Sequence, residues 1–145
     1  MTPLDALQQT LAGEHAAVHV LAFLGGSTSA TRAPDLLGLV RERYALHRGR
    51  REQLLVMVRN LGGDPVAAEP GYELPDATTT AAVRSAGAAV ERRCTETYAT
   101  AIGSTTREQR EWAVMALTES ATALLSWGQS PEAFPGAPDL GPERN

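Results

Sequence analysis

The chain has 145 residues, a net charge of −4 at pH 7 and few aromatic residues. This length fits one domain with its own hydrophobic core, and the acidic balance argues against a nucleic-acid partner. The single cysteine, Cys94, excludes an intramolecular disulfide and a multi-cysteine metal site. The sequence shows no signal-like N-terminal segment and no run of about eighteen apolar residues, so we expect a cytoplasmic protein that does not span a membrane.

Helix 1 is predicted from about Leu4 to Leu24, after a Thr2-Pro3 start that is typical of a helix N-terminus. Its large apolar side chains recur at three- and four-residue steps, which places them on one face of the helix. Glu14 falls inside this apolar stripe. A buried carboxylate is costly unless it is paired, hydrogen-bonded, protonated or bound to metal. Glu14 therefore predicts a polar centre inside the core.

Helix 2 is predicted from about Pro34 to Leu61, where a Gly-Gly-Asp-Pro sequence stops it. A link of about sixteen residues with no helical period follows. Such a link reaches roughly 50 Å when extended, whereas a helix of about 24 residues is about 36 Å long, so the link is long enough to cross a bundle. The inward stripe of helix 2 is predicted as Leu36, Val40, Tyr44, His47, Arg51, Leu54, Val58 and Leu61.

Helix 3 is predicted from a cap at Asp76 or Thr79 to about Ile102, and helix 4 from about Arg107 to Trp127. A short Gly-Ser-Thr-Thr turn separates them, and a similarly short connection separates helices 1 and 2. Short connections of this kind join antiparallel helices. The inward residues of helix 4 are predicted as Val114, Leu117, Thr118, Ala121 and Leu125.

Two antiparallel hairpins joined by one long crossover predict an all-α, ferritin-like four-helix bundle. We assign the bundle to residues 1–129 and a proline-rich C-terminal tail to residues 130–145. A simple up-down-up-down bundle would not need the long middle link, and structureless links of this length are uncommon unless they have a function.

Residues that are equally far from the turn of an antiparallel hairpin lie at the same height, and this predicts the neighbours of Glu14. Reflecting helix 1 through its turn places Glu14 at the height of Tyr44 and His47 on helix 2, with Arg51 one turn further along. Reflecting helix 3 in the same way gives Glu91 a mid-height position in the second hairpin. Ferritin-like di-iron sites also collect polar groups from all four helices at one level. The predicted polar core is Glu14, Tyr44, His47, Arg51 and Glu91.

Four short segments carry a resemblance to a known family. They are Gly13-Glu14-His15-Ala16-Ala17-Val18, Tyr44-Ala45-Leu46-His47-Arg48-Gly49-Arg50-Arg51 with Leu54-Leu55, Pro70-Gly71-Tyr72-Glu73-Leu74-Pro75, and Phe134-Pro135-Gly136. Together they resemble the bacterial ferritin-like family of unknown function, whose members are alanine-rich four-helix bundles. The resemblance covers nearly the whole chain and implies the fold, but it implies no established reaction.

The sequence departs from the di-iron pattern at two places. Tyr44 stands where a glutamate would precede His47 by three residues, and the second histidine is missing from helix 4. The candidate metal ligands that remain are Glu14, His47 and Glu91, which would hold one metal weakly. We therefore expect no cofactor, and iron, manganese or copper would be the metal if such a reduced site were loaded.

Three functions stay open at this point. The favoured one is a non-catalytic structural or binding protein with a degenerate metal centre, in which Glu14 is paired with Arg51, His47 or Tyr44. The second is a metal-dependent oxidoreductase with a reduced site of glutamate and histidine ligands. The third is a small-ligand binder anchored by Glu14 and Arg51.

Several other residues are weighed against ordinary structural roles. His15 and His19 are spaced as a chelating pair, but two histidines alone are a weak sign of a metal site. We therefore interpret both as residues at the border of the core. Cys94 is interpreted as an inert core residue. Trp112 and Met115 are predicted to share an outward face, which indicates either a homodimer interface or a surface that the crossover or the tail covers.

Overall fold

Four α-helices form the protein in a computed structural model, which describes residues 1–141. They are α1 (Pro3–Ser27), α2 (Pro34–Asn60), α3 (Thr80–Ser104) and α4 (Arg107–Ser126), followed by a short 3-10 helix at Pro138–Leu140. The four predicted helices are confirmed, and residues 1–141 contain no β-strand. The last four residues of the predicted tail lie outside the described residues. Within the described range, no helix is long and apolar enough to cross a lipid bilayer.

The helix starts follow from their capping residues. Thr2 accepts a hydrogen bond from the backbone N–H of Asp5 at 3.1 Å, and the Asp5 carboxylate accepts one from the Thr2 N–H at 3.0 Å. This reciprocal capping box satisfies two donors that a helix N-terminus leaves unpaired. Thr79 caps α3 by accepting from the N–H of Ala82 at 3.0 Å, which decides between the two predicted caps.

The packing order of the helices brings α1 and α3 to the middle of the bundle. α1 packs against α2 and α3, and α4 packs against α3. Arg43 and Arg50 of α2 bind Glu91 and Tyr98 of α3 in the same chain order, so α2 and α3 run parallel, as a long crossover between them requires. The backbones of α2 and α4 do not pack closely, and a groove lies between them.

The segment between α2 and α3 lies alongside α1. The N–H of Val66 donates to Oε1 of Gln8 at 2.8 Å, and Nε2 of His15 lies 3.0 Å from the Val66 carbonyl. One turn further along α1, the ring of His19 lies against Tyr72 with 5.1 Å between ring centroids. The two histidines therefore contact the link.

The inward face of α4 differs from the prediction. Val114 and Leu125 are 45% and 50% exposed, and Thr118 is exposed as well. Small side chains take the inward positions because they let α4 approach α3 closely, and tryptophans fill the remaining space. The residues of α4 that are buried are Trp112, Ala113, Ala116, Ser120, Ala123 and Leu124.

The described part of the tail packs against α3. Nε of Arg92 donates to Glu132 at 2.6 Å, and Nη2 of Arg92 donates to Gln129 at 2.8 Å. Gly136 lies directly over the backbone carbonyl of Thr95 and has φ +76°, so a side chain would be excluded there on both counts.

Candidate functional site

Seven buried polar side chains from all four helices meet at the centre of the bundle. Each of them is at most 5% exposed, and each buried side-chain nitrogen or oxygen in residues 1–141 has a hydrogen-bond partner. Buried polar groups that are fully paired stabilise a defined arrangement rather than a loose one. The seven residues, which we call the polar core, are Glu14, Arg43, His47, Arg50, Glu91, Tyr98 and Ser120.

Glu14 is the contribution of α1 to the polar core. Its Oε2 lies 2.7 Å from Nδ1 of His47, and the Tyr98 hydroxyl donates to its Oε1. Burial, together with neighbouring anions such as Glu14, raises the pKa of Tyr98 well above its usual value, so this hydroxyl keeps its proton. Both oxygens of the anomalous acid in the apolar stripe are thus satisfied by side chains of α2 and α3.

His47 lies between two carboxylates. Its Nδ1 faces Glu14 at 2.7 Å, and its Nε2 faces Oε2 of Glu91 at 3.3 Å. A neutral imidazole has only one N–H donor, whereas two carboxylate acceptors require donors on both ring nitrogens. Burial alone would lower the pKa of His47, but the neighbouring Cys94 side chain and the hydrogen bonds to Glu14 and Glu91 outweigh burial and raise this pKa well above 6.5. His47 is therefore an imidazolium at neutral pH.

Glu91 is the second fully buried carboxylate. Nε of Arg43 donates to its Oε1 at 2.7 Å, Nη2 of Arg43 donates to its Oε2 at 3.3 Å, and the indole N–H of Trp127 lies 3.4 Å from Oε1. Burial by itself would raise the pKa of Glu91. The hydrogen bonds and charges of His47 and Arg43 overcome this and lower that pKa from 4.5 to about 2.

Arg50 connects α2 to both helices of the second hairpin. Its Nη1 donates to the Tyr98 hydroxyl at 3.0 Å and to Oγ of Ser120 at 2.8 Å. Its Nη2 donates to the carbonyl of Ala116 at 3.2 Å and to Oε2 of Glu119 at 2.8 Å. The guanidinium also lies 5.2 Å from the centre of the Tyr98 ring, which is within cation–π range.

The ionised groups at the centre balance. The three cations are Arg43, His47 and Arg50. They face the carboxylates of Glu14 and Glu91, and a third carboxylate is supplied by Glu119, whose side chain is 52% exposed. A buried charge without a partner would be strongly unfavourable. The centre therefore needs no additional ion for neutrality.

The structure brings together three of the five residues predicted for the polar core: Glu14, His47 and Glu91. The prediction that Arg51 pairs with a buried glutamate is wrong. Arg51 instead donates to its neighbour Glu52 at 2.7 Å near the surface. Tyr44 is half-buried and packs against the edge of the apolar core.

The residues that the sequence analysis missed on α2 are Arg43 and Arg50. They lie four residues before and three residues after His47, whereas Tyr44 and Arg51 lie three before and four after it. Both sets satisfy helical spacing equally well. A small rotation of α2 about its axis therefore turns Arg43 and Arg50 inward in place of Tyr44 and Arg51. The spacing allows either set, and the packing of the helices decides between them.

The donor atoms of the polar core differ from those of a dinuclear iron centre. Within residues 1–141, ligand atoms of Glu14, His47 and Cys94 lie within 4.8 Å of one another. Burial, followed by the Glu14 charge, raises the pKa of the Cys94 thiol, whereas metals bind the thiolate. Both His47 ring nitrogens are engaged with carboxylates, and two guanidinium groups lie in the same centre. These residues do not fit a dinuclear iron centre.

A groove of about 270 Å³ opens between α2 and α4 above the polar core. We call it the α2–α4 groove. Arg50 and Glu119 form its polar part, and the side chains of Leu46, Met115 and Trp112 form much of its wall. The Trp112 indole donates to Gln53 at 2.7 Å across the groove. Trp112 is thus buried against α2 and does not lie on an outward face as predicted, whereas Met115 does lie outward and is 66% exposed.

Comparisons with known proteins identify similar sequences and folds. A family model described as "Domain of unknown function (DUF4439)" matches residues 6–139. The crystal structure of a conserved hypothetical protein from Mycobacterium tuberculosis is similar, with a TM-score of 0.79 and 26% sequence identity over 87% of this chain and 94% of that chain. A search of curated proteins gives no match. Neither description names an activity.

Proposed function

The chain belongs to the family named "Domain of unknown function (DUF4439)", and from its polar core we propose that it is a metal-independent, non-catalytic binding protein of the ferritin-like class. The observation that carries this proposal is the charge balance at the centre. In ferritin-like di-iron proteins, metal ions neutralise the inward carboxylates. Here Arg43, His47 and Arg50 supply that positive charge, which supports a centre in which side chains take the role that metal ions have in those proteins.

The polar core connects α2 to the second hairpin. α2 packs closely on α1 but makes few backbone contacts with α3 and α4. Its buried side chains reach those helices instead: Arg43 binds Glu91 on α3, and Arg50 binds Ser120 on α4. Buried polar pairs of this kind specify one packing arrangement among several apolar ones. We propose that they fix the position of α2 and thereby keep the α2–α4 groove open.

Metal analysis tests the proposal. Protein purified without a chelating tag and incubated with iron, manganese or copper is expected to retain far less than one metal ion per chain after desalting, and chelators should leave its melting temperature unchanged. Near-stoichiometric metal that is lost in Glu14→Gln and His47→Ala would overturn the proposal. Glu52→Gln is the matched control, because Glu52 is an exposed carboxylate on the same helix as His47.

A metal-dependent oxidoreductase is the second candidate, and it rests on the donor atoms of Glu14, His47 and Cys94 that lie within 4.8 Å of one another. A metal held there would require the loss of the proton that His47 shares with Glu14. Cys94→Ser distinguishes the candidates, since the Cys94 side chain carries none of the ion pairs of the polar core. Metal content that falls in this variant would favour the oxidoreductase.

We also propose that the protein forms a homodimer through the outer face of α4. The support is that Val114 and Leu125 are 45% and 50% exposed and lie about three turns apart on one face of α4, because exposed apolar surface is typical of interfaces. Sedimentation of the wild-type chain should give the mass of two copies, and Val114→Glu with Leu125→Glu should reduce it to one. A monomeric wild-type protein would contradict this part of the proposal.

A further inference from the structure

We propose that the α2–α4 groove binds a small organic acid, whose carboxylate replaces that of Glu119 on Arg50 and whose apolar body lies between Leu46 and Met115. The inference rests on the proposed function, because it takes the groove of a metal-independent binding protein and names the class of its ligand.

The Glu119 carboxylate marks the place where the carboxylate of the ligand would bind. Its Oε2 lies 2.8 Å from Nη2 of Arg50, and its Oε1 lies 3.7 Å from Nη1 of Arg43. A carboxylate is therefore held between two guanidinium groups that are themselves only 5% and 4% exposed. Guanidinium groups bind carboxylates in paired, directional geometry, so this position is suited to the carboxylate of a ligand.

Glu119 is the only one of the three central carboxylates that is accessible. Its side chain is 52% exposed, whereas Glu14 and Glu91 are fully buried. Once displaced, the exposed carboxylate of Glu119 is solvated by water. The two buried arginines keep a negative partner throughout, because the carboxylate of the ligand takes the place of Glu119.

The rest of the groove is apolar and has the size of a small ligand. Leu46 and Ala45 on α2 face Met115 and Trp112 on α4 across the opening. Gly49 adds space on the α2 side, since a Cβ placed there would meet no atom within 4 Å. A volume of about 270 Å³ is near the lower end for small-molecule sites, which favours a short acyl or aromatic acid over a large cofactor.

Hexanoate is a suitable probe, with hexanol as the neutral analogue and inorganic phosphate as the anion without an apolar body. Trp112 provides the readout, because its indole N–H lies in the groove and is hydrogen-bonded to Gln53. Titration of the ¹⁵N-labelled full chain with hexanoate should shift this indole resonance in a saturable way. Equal binding of hexanol would overturn the inference, and so would phosphate binding more tightly than hexanoate.

Two variants test the competition and the location. Glu119→Gln should tighten hexanoate binding roughly three- to tenfold, because the internal competitor loses its charge. Glu111→Gln, an exposed position on the same helix, is the matched control and should leave the Kd unchanged. An unchanged or weaker Kd in Glu119→Gln would contradict the proposed displacement.

Gly49→Leu should fill the groove and abolish hexanoate binding without unfolding the chain, since the new side chain enters open space. Gly38→Leu, an exposed site on the same helix that also has no neighbour within 4 Å, controls for the change in helix propensity. Hexanoate binding that survives in Gly49→Leu would place the ligand elsewhere. A metal-free protein that binds no hexanoate would overturn this inference and leave the proposed function standing.

Discussion

Oε2 of Glu14 and Nδ1 of His47 lie 2.7 Å apart on neighbouring antiparallel helices, and neither side chain is exposed to solvent. The acid that interrupts the leucine stripe of α1 is thus paired with an imidazolium, which a second carboxylate holds from the other side. In such an arrangement, each charge is stable only because the others are present. Replacing Glu14 or His47 alone should therefore lower the free energy of unfolding more than replacing both residues together.

Glu14→Leu alone should destabilise the protein by about 3 kcal/mol or more, because it leaves His47 and the Tyr98 hydroxyl without their acceptor. The double variant Glu14→Leu with His47→Leu should recover part of that loss. Chemical unfolding of the two single variants and the double variant measures the coupling. Additive losses would show that the two side chains do not interact in the folded protein.

Arg50→Met and Arg51→Met form a matched pair that tests the rotation of α2. Arg50→Met should destabilise the fold by roughly 2–4 kcal/mol, since it leaves polar groups of α3 and α4 unpaired in the core. Arg51→Met removes only a surface contact with Glu52 and should cost less than about 1 kcal/mol. If thermal melts show that Arg51→Met is the more destabilising variant, Arg51 and not Arg50 faces the core.

The helices were predictable because their ends carry local signals. Thr2, Pro34 and Thr79 mark helix starts through capping chemistry or a fixed φ, and these signals act within one turn of the chain. The polar centre was also predictable, since a glutamate in a leucine stripe requires partners. What the spacing alone left undetermined was which arginines of α2 face inward, because helical spacing allows two adjacent sets.

The face of α4 was mispredicted for a different reason. Val114 and Leu125 are more hydrophobic than Ala116 or Ser120, so a ranking by hydrophobicity places them inside. The helix instead turns its small residues toward α3, where close backbone approach gains more contact than large side chains would. Ser120 is inward because Arg50 requires an acceptor there, and this depends on a residue seventy positions earlier in the chain.

The pH dependence of stability follows from the two shifted groups. The folded pKa of Glu91 lies at about 2, below its ordinary 4.5, so its contribution is present above pH 4.5 and is lost as the pH falls toward 2. A shift of that size corresponds to about 3 kcal/mol. The folded pKa of His47 is raised above 6.5, so its contribution is full below pH 6.5 and declines as the pH rises.

These two groups together predict a stability maximum between about pH 4.5 and 6.5. Melting temperatures measured across the pH range check this, and Glu91→Gln should flatten the acidic limb of the profile. Glu111→Gln is a control for carboxylate loss, because Glu111 is an exposed carboxylate on α4. A melting temperature that rises steadily above pH 6.5 would contradict the assigned charge of His47.

Gly87 is required by the position of Trp127. A Cβ at Gly87 would lie 2.5 Å from the indole ring, and the same indole lies 3.4 Å from the Glu91 carboxylate. Gly87→Ala should therefore destabilise the protein by roughly 1–3 kcal/mol through overpacking. Gly38→Ala, also helical but without a neighbour within 4 Å, should be stabilising by up to about 1 kcal/mol. Equal effects in urea unfolding would contradict the tight packing at Trp127.

The charge of His47 is decisive for the polar core, because the balance of three cations and three carboxylates depends on it. The ¹⁵N chemical shifts of the imidazole report the protonation of each ring nitrogen, and Glu14→Gln supplies a variant in which one acceptor is weakened. We predict two protonated ring nitrogens at about pH 7.5, a full unit above the ordinary pKa of histidine, with earlier deprotonation in Glu14→Gln. A neutral imidazole in the wild-type protein at that pH would show that the buried charges of the polar core do not balance in this way.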